Sequence, residues 1–384
     1  MARVQEQVEH HYHSSLVERV RAEGSVLQAG KTVIRLAKQF GFCYGVERAI
    51  DLAYAARKVF PDARLFLIGE IIHNPEVNAQ IAALGIRNLL DASGRPHVED
   101  LGPEDVVIVP AFGAEVSLLD EIKRHGCRMV DTTCGDVMSV WKRVRQNATE
   151  EVTSIIHGKA SHEETRSTAS RALGAGNGRY LIVLNLQETD RVCDFIRGEG
   201  NRETFLHDFE GRFSEGFDPD LHLKRIGVAN QTTMLREETE EVQLKLKAAV
   251  ADRDGSDANF RLFDTICGAT QERQDALKEL LARPLDLLIV VGGYNSSNTT
   301  HLAEMGEQKV PTYFVRNQGC LESAELIRHF DLHKKEEITS EVPWLPKIGS
   351  KAQIGITAGA SCPNNLIEEV MLRVLDLRGE SLSS

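Results

Sequence analysis

The chain lacks any apolar stretch of the roughly 18 residues that a membrane-spanning helix needs. It also lacks any cysteine pair at CxxC spacing and any Gly-x-Gly-x-x-Gly run. The first absence excludes a helical membrane span. The second argues against an ordinary zinc knuckle or thioredoxin motif, and the third against a dinucleotide fingerprint. There is no excess of positive charge, since 45 Lys and Arg face 57 Asp and Glu for a formal charge of −12. A general nucleic-acid binder is therefore disfavoured. A small anion is not, because neutral donors and helix N-termini bind phosphate. Seven cysteines, an odd number in a long chain, argue against a secreted disulfide scaffold. The opening residues, MARVQEQVEHHYHSSLVERVRAEG, hold several Glu and no apolar h-region. They read neither as a secretory signal nor as a transit peptide, so a cytoplasmic location is expected. His10, His11 and His13 could form a metal cluster, but a solvated tail is the preferred reading.

What is present is an alternation. Strand-like runs occur at residues 64–69, 105–109, 152–157, 180–184, 225–229, 285–292, 312–315 and 353–357. Between them, residues 46–59, 137–145, 235–249 and 366–377 carry apolar positions at helical spacing. This β–α order predicts largely parallel sheets covered by helices. The 384 residues suggest two or three domains, at roughly 100–200 residues each. Polar stretches at 91–105, 197–223 and 251–259 read as loops or boundaries, the middle one long enough to be an insertion.

A short repeat carries more information. Asp131-Thr132-Thr133-Cys134-Gly135 recurs as Asp264-Thr265-Ile266-Cys267-Gly268, each after a strand-like run and before a helical pattern. Cys43, in Gly41-Phe42-Cys43-Tyr44-Gly45, has the same setting. Ligands collect beyond the carboxyl ends of strands in α/β units, and a helix N-terminus lowers a thiol pKa. Three such thiolates suit a zinc or iron–sulfur site with one open coordination position. Spacing alone is equally compatible with three unrelated buried cysteines. Cys127, Cys193, Cys320 and Cys362 lack this context and read as structural.

Other strand ends carry polar clusters: His73-Asn74-Pro75, His162-Glu163-Glu164-Thr165, Asn230-Gln231-Thr232-Thr233, Asn295 to Thr300, and Ser361. Each alone reads as a helix cap. Together they supply the converging donors that a diphosphate needs. Glu164 is a candidate general acid, or a first-turn Glu favoured by the helix dipole.

GFCYGVERAI, EIIHNPEVN, DTTC, IIHGKASHEET, NQTTML, DTIC-ATQERQ, GGYNSSNT and TAGAS follow one another here in the order of the 4-hydroxy-3-methylbut-2-enyl diphosphate reductase family. The resemblance covers roughly residues 31–378 and is closest to the plant and cyanobacterial subtype. It implies an α/β fold of three pseudo-symmetric domains in a trefoil around a central [4Fe–4S] cluster. The boundaries read are an extension over 1–30 and domains over 31–130, 131–262 and 263–384. The implied cluster ligands are Cys43, Cys134 and Cys267, leaving one open iron. His73, His162, Ser296, Ser297, Asn298 and Ser361 match the diphosphate-binding residues. Glu164 matches the proton-relay acid, and Thr232 a threonine near the substrate hydroxyl, with Thr233 adjacent.

The implied reaction is reductive dehydroxylation to isopentenyl and dimethylallyl diphosphate, fed by a ferredoxin- or flavodoxin-type donor. Two positions depart from the usual pattern. Phe112 stands where many bacterial members have a second diphosphate-binding His, and Gly135 stands where Pro is usual. The rival readings are a quinolinate synthase-like enzyme, a cluster-binding sensor or inactive paralogue, and a structural zinc protein.

Overall fold

In a computed structural model the described residues are 2–263 and 265–382, with side chains described from residue 6 onward. Asp264, the first residue of the second DTxC repeat, lies outside them. The chain forms two compact units. One comprises the residues up to Pro61, Glu70–Ile86 and those from Gly268 onward; the other comprises Asp62–Gly69 and Arg87–Cys267.

Strands are numbered in chain order. The second unit holds two sheets. One has the order β4 (Ile86–Asn88), β3 (Leu65–Leu67), β5 (Val106–Val109), β6 (Arg128–Asp131), with β4 beginning at the boundary between the units. The other runs β10 (Phe260–Leu262), β9 (Ile226–Asn230), β7 (Thr153–His157), β8 (Tyr180–Val183), all parallel. The first unit holds β1 (Val26–Ala29), β2 (Thr32–Leu36), β15 (Ala352–Ala358), β11 (Leu287–Val291), β12 (Thr312–Val315). A hairpin of β13 (Ile327–Asp331) and β14 (Glu336–Ser340) stands beside it in sequence. The central strands β5, β7, β9 and β11 are buried throughout, as expected for strands covered on both faces.

The three sheets share one order. In β4-β3-β5-β6 and β8-β7-β9-β10, the first strand of each set is flanked by the second and the third. The fourth lies beyond the third. The sheet β12-β11-β15-β2 repeats this order, but its fourth place is filled from the other end of the chain. Residues 32–36 fall in the 31–130 stretch of the sequence boundaries, yet β2 pairs in parallel with β15 from Ala352 to Ile356. The strands that lead into Cys43, Cys134 and Cys267 thus occupy equivalent places.

Two polar readings are revised by packing. Residues 197–223 are not an open loop, because Arg202–Asp208 and Pro219–His222 are helical, capped by Asn201 and Asp218. Their Phe205, Phe209 and Phe217 join Ile155 and Leu181 in the core. The N-terminal residues are not a solvated tail either. Helices Ala2–Tyr12 and Ser15–Ala22 form there, and Ser14 caps the second. Leu16, Val17 and Val20 are buried in one cluster with Leu36 and Ile367. That periodic apolar face is what holds the segment down.

Candidate active site

Cys43 and Cys134 are the N-cap residues of helices Tyr44–Val59 and Gly135–Thr149, and Cys267 directly precedes helix Gly268–Leu281. Both caps are extended, with φ −91° and −64°, and neither thiol makes a side-chain cap hydrogen bond. The three turns share a second feature. The Cys43 N–H donates to Ala360 O (3.2 Å), the Cys134 N–H to Ala111 O (2.8 Å), and the Cys267 N–H to Thr232 O (3.3 Å). Each acceptor stands two residues beyond the end of the neighbouring parallel strand, β15, β5 or β9.

These three cysteines are half-buried, whereas Cys193, Cys320 and Cys362 are fully buried. Burial pushes the Cys193 thiol up to about 11 and raises that of Cys362 as well. The Cys127 thiol donates to Gly102 O at 3.4 Å. No disulfide joins any of the seven. Reachable thiols at helix N-termini fit thiolate ligation of a soft metal group; the buried ones do not.

In the first unit, Ser296 caps helix Ser297–Glu307. Its Oγ accepts from Thr299 Oγ1 (2.9 Å), and Ser361 Oγ lies 3.4 Å away. Ser361 Oγ also donates to His73 O (3.1 Å). Asn298 Oδ1 accepts from the Ala360 N–H (2.9 Å), while its buried Nδ2 has no hydrogen-bond partner among the described residues. A buried amide donor without an acceptor is costly. Ser297 Oγ lies 3.4 Å from His301 Nε2. His73 Nδ1 sits 3.1 Å from Glu70 Oε2, which also accepts from Asn295 Nδ2 (2.7 Å). The strand ends approach closely enough to require glycine. A Cβ on Gly293 would lie 2.4 Å from His73 O, and one on Gly359 would lie 2.0 Å from Thr299 Oγ1. The region thus brings together His73, Ser296, Asn298 and Ser361, with Ser297 one turn position away.

In the second unit, His162 caps helix Glu163–Ala172, and its Nδ1 accepts the Glu164 N–H at 3.2 Å. The neutral ring then carries its proton on Nε2 and can donate it to an anion. Glu164 is buried. Its Oε1 accepts the Thr232 N–H (2.6 Å), and its Oε2 accepts the Thr232 hydroxyl (3.0 Å). It is therefore Thr232 that meets the acid; Thr233 Oγ1 instead accepts from Gln231 Nε2 (2.8 Å). Gln231 Oε1 accepts from the Lys159 N–H (3.2 Å) and Thr165 Oγ1 (3.1 Å), stapling the HGKAS loop to the NQTT loop. Sequence reasoning missed the roles of Gln231 and Glu70. Their signal was only that each lies within a motif already noted.

The protein-family model described as "LytB protein" matches residues 34–375. The chain belongs to the LytB family. It is 46% identical to the 4-hydroxy-3-methylbut-2-enyl diphosphate reductase of Gloeobacter violaceus, over 98% of this chain and 91% of that protein. The enzyme of the same name from Thermosynechococcus vestitus is 44% identical, over 98% of this chain and 92% of that one. A solved structure of (E)-4-hydroxy-3-methyl-but-2-enyl diphosphate reductase matches at 25% identity and TM-score 0.54, covering 89% of this chain and 99% of that one. The Plasmodium falciparum E-1-hydroxy-2-methyl-but-2-enyl-4-diphosphate reductase structure shares the fold at 22% identity and TM-score 0.65, covering 88% and 86%. Among the described residues, no helix is long and apolar enough to cross a membrane.

Within this LytB member the two unusual positions now have surroundings. The Phe112 ring meets the His162 ring edge-on at 6.4 Å, and Phe112 O accepts from Ser167 Oγ (3.0 Å). Phe112 presents a hydrocarbon edge where a second His would present a donor. Gly135 begins its helix with nothing within 4 Å of where a Cβ would lie and without a left-handed φ. No steric demand calls for glycine there, and a first-turn proline would fit.

Proposed function

We propose that this LytB family member reduces 4-hydroxy-3-methylbut-2-enyl diphosphate to isopentenyl and dimethylallyl diphosphate. One observation carries the reading. The peptide of Cys267 is bonded to Thr232, and Thr232 is bonded through both its N–H and its hydroxyl to the buried carboxyl of Glu164. A thiol turn and an acid are thereby joined through one residue. The names of the relatives point the same way.

The half-buried helix-start thiols fit a [4Fe–4S] group, which Cys43, Cys134 and Cys267 would hold with one iron lacking a protein ligand. When bound, such a cluster supplies electrons singly and a Lewis-acidic iron for the allylic hydroxyl. The remaining work falls to the chain. His73, His162, Ser296, Ser297, Asn298 and Ser361 bind the diphosphate, with the Asn298 Nδ2 and His162 Nε2 donors aligning its oxygens. Glu164 delivers protons from Oε2 by way of the Thr232 hydroxyl. The reaction balances as substrate plus two electrons plus two protons giving product plus water. The C–O bond to the allylic hydroxyl breaks, and the allyl carbon gains hydrogen at one of two ends. The electrons come from a small ferredoxin- or flavodoxin-type protein in the cytoplasm.

The test is an anaerobic assay of chain carrying four irons and four sulfides, with chemically reduced ferredoxin and the substrate diphosphate. Formation of both products is expected. No turnover by fully loaded protein would sink the proposal.

A further inference from the structure

The N-terminal extension and the ATQERQ stretch have no place in the reaction described so far, yet both reach the turn that carries Cys43. Arg21, near the end of helix Ser15–Ala22, donates from Nη2 to Phe40 O at 2.7 Å. Its guanidinium carbon lies 4.0 Å over the buried Phe40 ring. Arg273, itself buried, donates from Nη2 to Gly41 O at 2.5 Å. Tyr12, from the first helix, packs its ring 5.4 Å from that of Phe42. Two consecutive carbonyls are thus each taken by a guanidinium, and the Cys43 N–H is taken by Ala360. Because a trans peptide sets its C=O and N–H in opposite directions, this also turns the Gly41 and Phe42 N–H groups away from the arginines. Gly41 has φ +83°, and a Cβ there would lie 2.7 Å from Asn364 Oδ1, so another residue in this turn would be strained.

We propose that Arg21 and Arg273 are positioning residues that clamp the Phe40–Cys43 turn, making the N-terminal extension part of the thiolate site. This rests on the reading of Cys43 as a cluster ligand. The clamp brings two like charges together, since burial and then Arg273 lower the proton affinity of Arg21, with Glu18 opposing. Such a pair is favoured where negative charge lies beside it, which Glu18 supplies to Arg21 and Glu47 to Arg273. Charge-assisted hydrogen bonds are the stronger kind, so each should hold the turn appreciably.

Hydrogen–deuterium exchange on the cluster-free chain tests the clamp directly. Arg21→Gln should speed exchange of the residue 40–43 amides about tenfold, as expected for losing one charged hydrogen bond, while β11 and β15 amides keep their rates. In anaerobically reconstituted protein the same variant should lose iron to a chelator several-fold faster and alter the EPR line shape of the reduced cluster. Arg21→Lys should recover part of both. Unchanged exchange at 40–43, acceleration spread across the whole sheet, or wild-type iron retention would each overturn the proposal. Arg21→Gln decides it even if Arg273→Gln does not fold. If wild-type chain takes up no iron and sulfide, the cluster reading fails, whereas local acceleration in the cluster-free chain would still establish the clamp.

Discussion

The three cysteine turns share a backbone and differ in what stands beside it. In the first unit, the carbonyl that receives the Cys43 N–H belongs to Ala360, and the next residue is Ser361 of the hydroxyl cradle. In the second unit the corresponding carbonyls belong to Ala111, followed by Phe112, and to Thr232, followed by Thr233. At the residue after the acceptor, one strand-end device therefore presents a hydroxyl, a hydrocarbon edge and a threonine bonded to Gln231, while in the third turn the acceptor Thr232 itself is bound to the acid. The first unit gathers hydroxyls and amides that bond one another and leave Asn298 Nδ2 open, with Glu70 set against His73 and Asn295. The second holds an ionisable carboxyl fixed by both donors of a single residue. Hydroxyls and amides suit binding, while the carboxyl suits proton transfer. The division predicts that substitutions in the two units will separate in kinetics.

The largest effect should come from the second unit. Glu164→Gln keeps the shape and can keep the Thr232 contacts but cannot deliver a proton. Turnover should fall by about 10²–10⁴-fold, the usual contribution of a positioned acid, while cluster absorbance stays. Wild-type kcat in this variant would break the comparison. In the first unit, Asn298→Ala removes the open donor. It should raise KM by roughly 10–100-fold, the worth of a hydrogen bond to a charged group, with a smaller change in kcat. If kcat fell as far as in Glu164→Gln, binding and proton transfer would not be divided in this way.

Much of this was legible in the chain, and the parts that were not have physical causes. LDLLIVVG could hardly be anything but a buried strand, and β11 is one. The partner of β2 was hidden, because local periodicity carries no information about which sheet a strand joins. The hairpin β13–β14 was also missed: its residues are half-exposed and mostly polar, so neither face stands out. Residues 197–223 misled because Gly and Pro mark caps and turns as readily as open loops. For the site, residue types and order pointed to Glu164 and Asn298, but choosing Thr232 over Thr233 needed the geometry. The Arg273 contact with Gly41 spans 232 positions of sequence, beyond any local pattern.

Phe112→His would make the hydrocarbon turn resemble the donor turn at Ser361. If the diphosphate binds as proposed, the added donor should lower KM, by about two- to ten-fold for a net 0.5–1.5 kcal/mol, measured under the same anaerobic assay. An unchanged or raised KM would mean that the ring packing on His162 matters more than the missing donor.

The smallest effect concerns Gly135. The N1 position of helix Gly135–Thr149 has open space on its Cβ side and a backbone already suited to proline. Gly135→Pro should then act mainly on the unfolded chain, removing conformations that glycine allows, and stabilise by about 0.4–1 kcal/mol. The expected readout is a small rise in the denaturation midpoint of the cluster-free chain. Trp141 fluorescence in a Trp344→Phe background would follow it, because Trp141 is buried in that same helix. Cys134 precedes the substitution and its N–H bond to Ala111 is untouched, so iron content should not change. A destabilised Gly135→Pro would mean that the turn needs glycine after all, and that the three cysteine turns are less alike than their shared hydrogen bond implies.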